Sequence, residues 1–140
     1  MTAAFRTTRR VEFRDTDAAG IIHFSAFFHY MEEVEHEFVR SLGLSVLARD
    51  AEGVVSWPRV AASCQFRGAV RFEDVLDVEL RVTRIGAKSV TYAFHFTHAG
   101  RDVADGEVTA VCCRMQEGSP PRSIAIPPEV LARLKSPFTG

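Results

Sequence analysis

The chain has 140 residues, of which 46% are hydrophobic and 25% are charged, and its formal net charge at pH 7 is −1. This size and composition predict one soluble domain over residues 1–140 with a single core, and the small net charge gives no electrostatic basis for binding nucleic acid. No stretch approaches the roughly 20 apolar residues of a membrane span, and the N-terminal segment lacks the apolar region of a signal peptide, so we expect neither membrane insertion nor processing.

The first half of the chain reads as a strand, a loop and a long helix. Alternation of apolar and polar residues predicts a strand over about residues 7–14. Apolar residues then recur every three or four positions, which predicts an amphipathic helix over about residues 25–42 that ends at Gly43. A shorter helical piece is expected over about residues 45–51.

The second half reads as antiparallel strands up to about residue 115. Residues 76–83 and 90–97 alternate strictly between apolar and polar, with turns predicted at Gly86-Ala87 and Ala99-Gly100. Trp57-Pro58 interrupts an earlier strand-like stretch, which favours a strand that begins near Arg59. Pro127 and Pro128 open a short helix through about Lys135. Together these elements predict an α+β fold in which one long helix packs on a four- or five-stranded antiparallel sheet.

The three cysteines are odd in number, and Cys112 and Cys113 are adjacent on a predicted strand, where their side chains point to opposite faces. They therefore do not form a disulfide framework. They are interpreted, with Cys64, as small buried hydrophobic residues of a protein from the reducing cytoplasm.

Two carboxylates and a glycine, Asp15, Asp17 and Gly20, lie just before the long helix. By spacing alone, such acids are typical of loops and helix caps. A helix N-terminus also presents unpaired N–H groups and a partial positive charge, which suits the oxygen of a polarised carbonyl. The loop is therefore the candidate site of the chain.

The segment Val-Glu-Phe-Arg-Asp-Thr-Asp-Ala-Ala-Gly-Ile-Ile-His-Phe (11–24), followed by the aromatic-rich start of the helix, resembles the 4-hydroxybenzoyl-CoA thioesterase family of hotdog-fold proteins. The resemblance spans nearly the whole chain. It implies a hotdog fold, with a long central helix wrapped by a five-stranded antiparallel sheet, and hydrolysis of an acyl-CoA to the free acid and CoA. The acyl group, aromatic or short-chain, is left open.

The resemblance also implies roles for particular residues. Asp17 is the catalytic carboxylate, as nucleophile or general base, while Asp15 holds the loop through backbone N–H groups. N–H groups at the helix start, at about Phe24, form the oxyanion hole, with Gly20, His23 and Glu32 as further substrate-binding candidates. Family members work as dimers or dimer-built tetramers with the site between subunits, so a homodimer or a homotetramer is expected.

Lys88 and Ser89, after the first predicted turn, are candidates for binding the phosphates of CoA, as basic residues in this region do in similar proteins. An exposed hairpin end explains the same two residues without any function. No metal or cofactor is expected, because the set His29, Glu32, Glu33 and His36 on one helix seldom gives complete metal geometry. Two alternatives stay open: a thioesterase for acyl-carrier-protein substrates, and a non-catalytic hotdog protein that binds an acyl ligand.

Overall fold

The structure is a computed structural model that describes residues 4–136, so the outermost residues of the predicted domain, including Met1 to Ala3 of the N-terminal segment, lie outside it. The helices are α1 (Ala26–Ser41) and α2 (Pro128–Lys135). The strands are β1 (Phe5–Arg10), β2 (Leu47–Asp50), β3 (Gly53–Ser56), β4 (Arg59–Phe66), β5 (Val75–Ile85), β6 (Ser89–His98), β7 (Arg101–Val111), β8 (Cys113–Met115) and β9 (Arg122–Ser123).

Helix α1 confirms the predicted helix to within one residue at each end. Its apolar stripe is buried, with Phe27, Met31 and Val34 at 2% exposure or less. Gly43 ends it with a φ of +76°, and its N–H donates to Arg40 O while that of Leu44 donates to Val39 O. These two bonds form a Schellman motif, which satisfies carbonyl groups that a helix end otherwise leaves unpaired.

The large sheet has five antiparallel strands in the order β1-β5-β6-β7-β4 and packs against α1. Its inner face carries the predicted alternation, because Leu76, Val78 and Leu80 of β5 are buried, as are Tyr92, Phe94 and Phe96 of β6. The turn at Ala99 and Gly100 has positive φ at both residues, which is typical of a tight hairpin. The predicted combination of one long helix and a five-stranded antiparallel sheet is confirmed.

Gly106 of β7 lets the helix approach the sheet closely. A Cβ atom at this position would collide with the sulfur of Met31, which is fully buried on α1, and would lie 3.3 Å from Ser63 O on β4. The glycine is therefore required by packing between layers, since its φ is not in the left-handed region.

A second, four-stranded sheet in the order β2-β3-β8-β9 corrects one prediction. Residues 47–50, expected within a short helix, form β2 instead, because they pair with β3 from Leu47 opposite Ser56 to Asp50 opposite Gly53.

The predicted break at Trp57-Pro58 is confirmed and has a structural meaning. It is the point at which the chain leaves the small sheet and enters the edge of the large one as β4.

The first strand is also shifted from its prediction. It covers Phe5–Arg10 rather than about 7–14, and Phe13–Asp15 form a 3-10 turn. The Asp15 carboxylate accepts a hydrogen bond from Glu12 N at 2.9 Å, which favours the turn over a continued strand.

The cysteines are free thiols, with Cys112 and Cys113 buried and Cys64 half-buried. Burial raises the pKa of both Cys64 and Cys112 to about 11. Within residues 4–136, no helix is long and apolar enough to cross a membrane.

Candidate active site

The loop between β1 and α1 is folded as a small hairpin. Asp17 N donates to Ile21 O at 2.8 Å and His23 N donates to Asp15 O at 2.7 Å. Ile22 N donates to Val70 O, which attaches the loop to the chain segment before β5. Gly20 turns this hairpin with a φ of +81°, and its N–H donates to Asp17 O. The loop is therefore held by backbone bonds, and its side chains are presented on a defined frame.

The Asp17 carboxylate is fixed through one oxygen and open at the other. Its Oδ1 accepts hydrogen bonds from Ala19 N at 2.9 Å and from Ile21 N at 3.4 Å. Oδ2 has no hydrogen-bond partner among residues 4–136. The side chain is only partly exposed. A carboxylate held in this way has one oriented oxygen that can accept a proton or attack a carbonyl carbon.

Asp15 has a different environment, with both of its contacts on the same oxygen. Its Oδ2 accepts a hydrogen bond from the Tyr30 hydroxyl at 2.6 Å as well as the bond from Glu12 N. Burial and the Asp15 hydrogen bond both raise the pKa of Tyr30, so Tyr30 stays a donor. The backbone bond supports the predicted loop-holding role, and the bond to α1 is one that the sequence did not indicate.

A cleft of about 690 Å³ lies between β1, the loop and the start of α1. Asp15, His23 and Tyr30 line it together with Arg10 and Arg14, whereas Asp17 does not. In the single chain, the cleft therefore borders Asp15 rather than Asp17, the predicted catalytic carboxylate.

The N-terminus of α1 keeps open donors beside the loop. The Phe24 N–H has no acceptor in the described part of the chain, while the preceding His23 N–H is used by Asp15 O. Ser25 does not cap the helix, because its hydroxyl lies 2.7 Å from His23 Nδ1. Since Ser25 N also donates to Nδ1 at 3.2 Å, this ring nitrogen acts as an acceptor. An unpaired N–H at the positive end of a helix is suited to stabilising an oxyanion.

The aromatic rings around this helix start form a partly exposed surface. Phe24 is 59% exposed, stacks on His23 with ring centroids 4.6 Å apart, and has Phe66 of β4 at 6.4 Å. Phe13 and Phe72 form a second exposed pair at 6.1 Å. Phe66 and Phe72 were not among the predicted site residues, because single aromatic residues in strands and loops give no sequence signal for a shared surface.

Glu32 is exposed on α1, and its carboxylate makes no hydrogen bond or ion pair within residues 4–136. The polar set on α1 (His29, Glu32, Glu33 and His36) is partly engaged in other contacts. Glu33 pairs with Arg9 at 3.0 Å, and His36 Nε2 lies 3.3 Å from Arg59 Nη2. Among residues 4–136, no group of three or more His, Cys, Asp or Glu side chains is arranged to hold a metal ion.

Lys88 and Ser89 lie far from Asp17 in the single chain. Val75, at the start of β5, pairs with Arg10 near the Asp17 loop, whereas Lys88 and Ser89 follow the other end of this strand. Eleven residues of β-strand span roughly 35 Å at about 3.3 Å per residue. The structure therefore places Asp17, Gly20, His23 and Phe24 on one hairpin loop and leaves Lys88 and Ser89 at the opposite end of the sheet.

Comparisons with known proteins agree with this architecture. The family model of the thioesterase-like superfamily matches residues 11–134. The chain is 25% identical over 115 residues to a 1,4-dihydroxy-2-naphthoyl-CoA hydrolase of Synechococcus elongatus, covering 81% of this chain and 85% of the relative. It is 26% identical over 127 residues to the acyl-CoA thioester hydrolase YbgC of Escherichia coli O157:H7, covering 88% and 94%. The solved structure of BH1999 gentisyl-coenzyme A thioesterase superposes with a TM-score of 0.79 at 28% identity, covering 93% of this chain and 99% of that one.

Proposed function

Because the chain belongs to the thioesterase-like superfamily and has the hotdog fold of its structural neighbours, we propose that it hydrolyses acyl-CoA thioesters with Asp17 as the catalytic carboxylate. The observation that carries this proposal is the free Asp17 Oδ2 on a loop that leads directly into the open N-terminus of α1. The relatives act on aromatic and other acyl-CoA thioesters by their names, which supports CoA as the thiol component.

In the proposed reaction, the thioester carbonyl oxygen accepts a hydrogen bond from Phe24 N–H. Asp17 Oδ2 either removes a proton from the attacking water or adds to the carbonyl carbon itself, and the C–S bond then breaks. The thiolate of CoA leaves and takes up a proton, and an acyl-Asp17 anhydride, if formed, is hydrolysed by water. The helix terminus stabilises the negative charge that develops on oxygen in either route. Gly20, His23 and Glu32 are proposed to contact the substrate around this centre.

Hydrolysis of a panel of acyl-CoA thioesters tests this function. The panel contains aromatic and short aliphatic acyl groups, and release of the free thiol of CoA is followed directly. We expect turnover of at least one class without added metal or cofactor. Absence of turnover across the panel, together with turnover of the same acyl groups on acyl-carrier protein, would instead identify a carrier-protein thioesterase.

The separation of Lys88 from Asp17 supports a site built from two protomers. The phosphates of a CoA held near Asp17 reach Lys88 or Ser89 only if a second chain supplies these residues. Strand β4 is suited to such an interface, because within residues 4–136 it pairs only with β7, at the edge of the large sheet, and it carries the exposed apolar residues Val60 and Phe66. We propose a homodimer or a dimer-built homotetramer, and the three free cysteines support a reducing, cytoplasmic setting.

Self-association gives the first prediction. We expect the molecular mass measured by light scattering at micromolar concentration to be two or four times that of the 15.6 kDa chain. A mass that stays at that of one chain over the whole concentration range would contradict the shared site.

The second prediction concerns Lys88. Lys88→Ala is expected to raise KM for the acyl-CoA substrate with little change in kcat, because a remote phosphate contact is equally strong in the ground state and the transition state. The increase should shrink as salt is added, since screening weakens the same contact in the unmodified enzyme. Lys135→Ala, a lysine substitution in α2, is the control. An unchanged KM for Lys88→Ala would mean that Lys88 is only an exposed hairpin charge.

A further inference from the structure

Tyr30 joins the body of α1 to the loop that carries Asp17. Its side chain is 4% exposed, and its hydroxyl donates to Asp15 Oδ2 at 2.6 Å. Among residues 4–136, no other side-chain hydrogen bond connects residues 15–22 with α1. The length is typical of a bond from a hydroxyl to a carboxylate, which is stronger than a bond between neutral groups. The contact is therefore a strong polar attachment of the loop to the helix.

Both reactive groups of the proposed mechanism lie between the two ends of this bond. Asp17 follows Asp15 by two residues, and Phe24 precedes Tyr30 by six. The backbone of Asp15 also takes part, because its carbonyl oxygen accepts a hydrogen bond at 2.7 Å from the N–H of His23, the residue before Phe24. The position of Asp15 thus affects both the carboxylate of Asp17 and the N–H group of Phe24.

The N-terminus of α1 is not fixed by a helix cap. Ser25, at the N-cap position, makes no side-chain hydrogen bond to the first turn. Ile22 is buried and donates to Val70 O, which fixes one arm of the hairpin to the segment before β5. The other arm, which begins at Asp15, reaches the helix through Tyr30. Loss of this bond should therefore let the Asp15 arm move relative to the helix N-terminus.

The side chain of Tyr30 is suited to hold the loop rather than to transfer protons. Burial and the bond to Asp15 raise its pKa, so the hydroxyl keeps its proton and stays a donor well above neutral pH. Its ring packs against Phe27, with ring centroids 6.4 Å apart. A donor on a packed ring has a fixed position, which is what a group that supports a reactive site requires.

We propose that Tyr30 is a positioning residue for thioester hydrolysis, which holds the Asp15 arm so that Asp17 Oδ2 and Phe24 N–H face the same carbonyl group. The inference rests on the proposed function, and it adds a residue that touches neither the thioester nor CoA. Displacing a reacting group by about 1 Å can lower a rate by about 10²-fold, so the bond acts on the rate rather than on substrate affinity.

Tyr30→Phe tests the proposal, because it removes the hydroxyl and keeps the ring. We expect kcat to fall by about 10–100-fold while KM changes by less than about twofold, since the contacts to CoA are not altered. The rate is referred to folded protein, which circular dichroism and thermal unfolding quantify.

Tyr92→Phe is the matched control for this substitution. Tyr92 is the other tyrosine of the chain and is also buried, and its hydroxyl makes no hydrogen bond in the described part of the chain. Its replacement should therefore leave kcat unchanged.

Substitutions of Asp15 test whether Tyr30 acts through this residue. Asp15→Ala removes the acceptor, so it should lower kcat at least as much as Tyr30→Phe, and combining the two should add nothing to the loss. Asp15→Asn keeps a carbonyl oxygen that can accept the same hydrogen bonds, so its kcat should stay near that of the unmodified protein.

Amide hydrogen exchange gives a second readout, which requires no activity. The N–H groups of Asp17 and His23 donate within the hairpin. Both should exchange faster in Tyr30→Phe and at the original rate in Tyr92→Phe, because local opening of the loop exposes them.

Unchanged kcat in folded Tyr30→Phe would overturn the proposal and reduce the bond to a contribution to stability. A higher KM with unchanged kcat would make Tyr30 a substrate contact, and additive losses in the double variant would mean that it does not act through Asp15. Failure of the proposed function is recognised separately, because Asp17→Asn then keeps full activity or the unmodified protein hydrolyses no acyl-CoA. In either case, unchanged amide exchange in Tyr30→Phe would show that Tyr30 does not hold the loop.

Discussion

Replacing Asp17 by asparagine is expected to reduce kcat by roughly 10²–10⁴-fold if Asp17 is a general base, and by as much or more if it forms an anhydride. The loop should survive the change, because the asparagine carbonyl oxygen can keep the hydrogen bonds from Ala19 N and Ile21 N. Its amide nitrogen then takes the place of the free Oδ2, so the reactive oxygen becomes a donor. Steady-state hydrolysis of the best acyl-CoA substrate measures the effect.

Asp15→Asn is the matched control for this experiment. Asp15 accepts bonds from Glu12 N and the Tyr30 hydroxyl, so its substitution should lower the free energy of unfolding by about 1 kcal/mol and leave kcat nearly unchanged. Undiminished hydrolysis in a well-folded Asp17→Asn protein would refute the proposed mechanism. A larger loss of kcat in Asp15→Asn would identify Asp15, which lines the cleft, as the catalytic carboxylate.

Gly106→Ala is expected to lower the free energy of unfolding by about 1–3 kcal/mol, the usual range for an overpacked core. The added methyl group would collide with the sulfur of Met31, a side chain with no exposed surface and little room to move. Urea denaturation followed by circular dichroism measures the change, and an unchanged slope with denaturant concentration would show that it reflects stability rather than a different unfolded state.

A double-mutant cycle separates this collision from other effects of the substitution. Met31→Ala alone should be destabilising by about 2–5 kcal/mol, because it leaves a cavity in the core. In the Met31→Ala background, the methyl group that Gly106→Ala adds has space, so this second substitution should then be nearly neutral. If Gly106→Ala lowers the free energy of unfolding as much with alanine at position 31 as with methionine, contact with the helix is not the cause. The nearby Ser63 carbonyl oxygen then becomes the explanation.

The elements with strong periodicity were predictable from sequence. Helix α1 and the pair β5–β6 have one buried face each, so the apolar pattern alone determines both their type and their orientation. The prediction of a helix at residues 47–50 is wrong, because these four residues are all exposed and have no such pattern. Their strand conformation comes from pairing with β3, which is a tertiary contact.

The candidate site also has features that the sequence indicates and features that depend on tertiary contacts. The proximity of Asp17, Gly20, His23 and Phe24 follows from their closeness in sequence, so a motif could indicate it. The hydrogen bond from Tyr30 to Asp15 and the contact of Phe66 with Phe24 join residues from different elements. The separation of Lys88 from Asp17 depends on the direction of β5, which only the pairing of β1 with β5 establishes.

The strand order of the large sheet also determines how much chain entropy is lost when its strands pair during folding. Strands β5, β6 and β7 are joined by short turns, so they meet with little loss of chain entropy, whereas β1 must find β5 across the whole intervening helix and small-sheet region. The central helix is synthesised before all three of these strands. During synthesis, only β1, whose Phe5 packs on Phe38 of the helix, precedes α1, so most of the apolar face of the helix emerges before the strands that cover it.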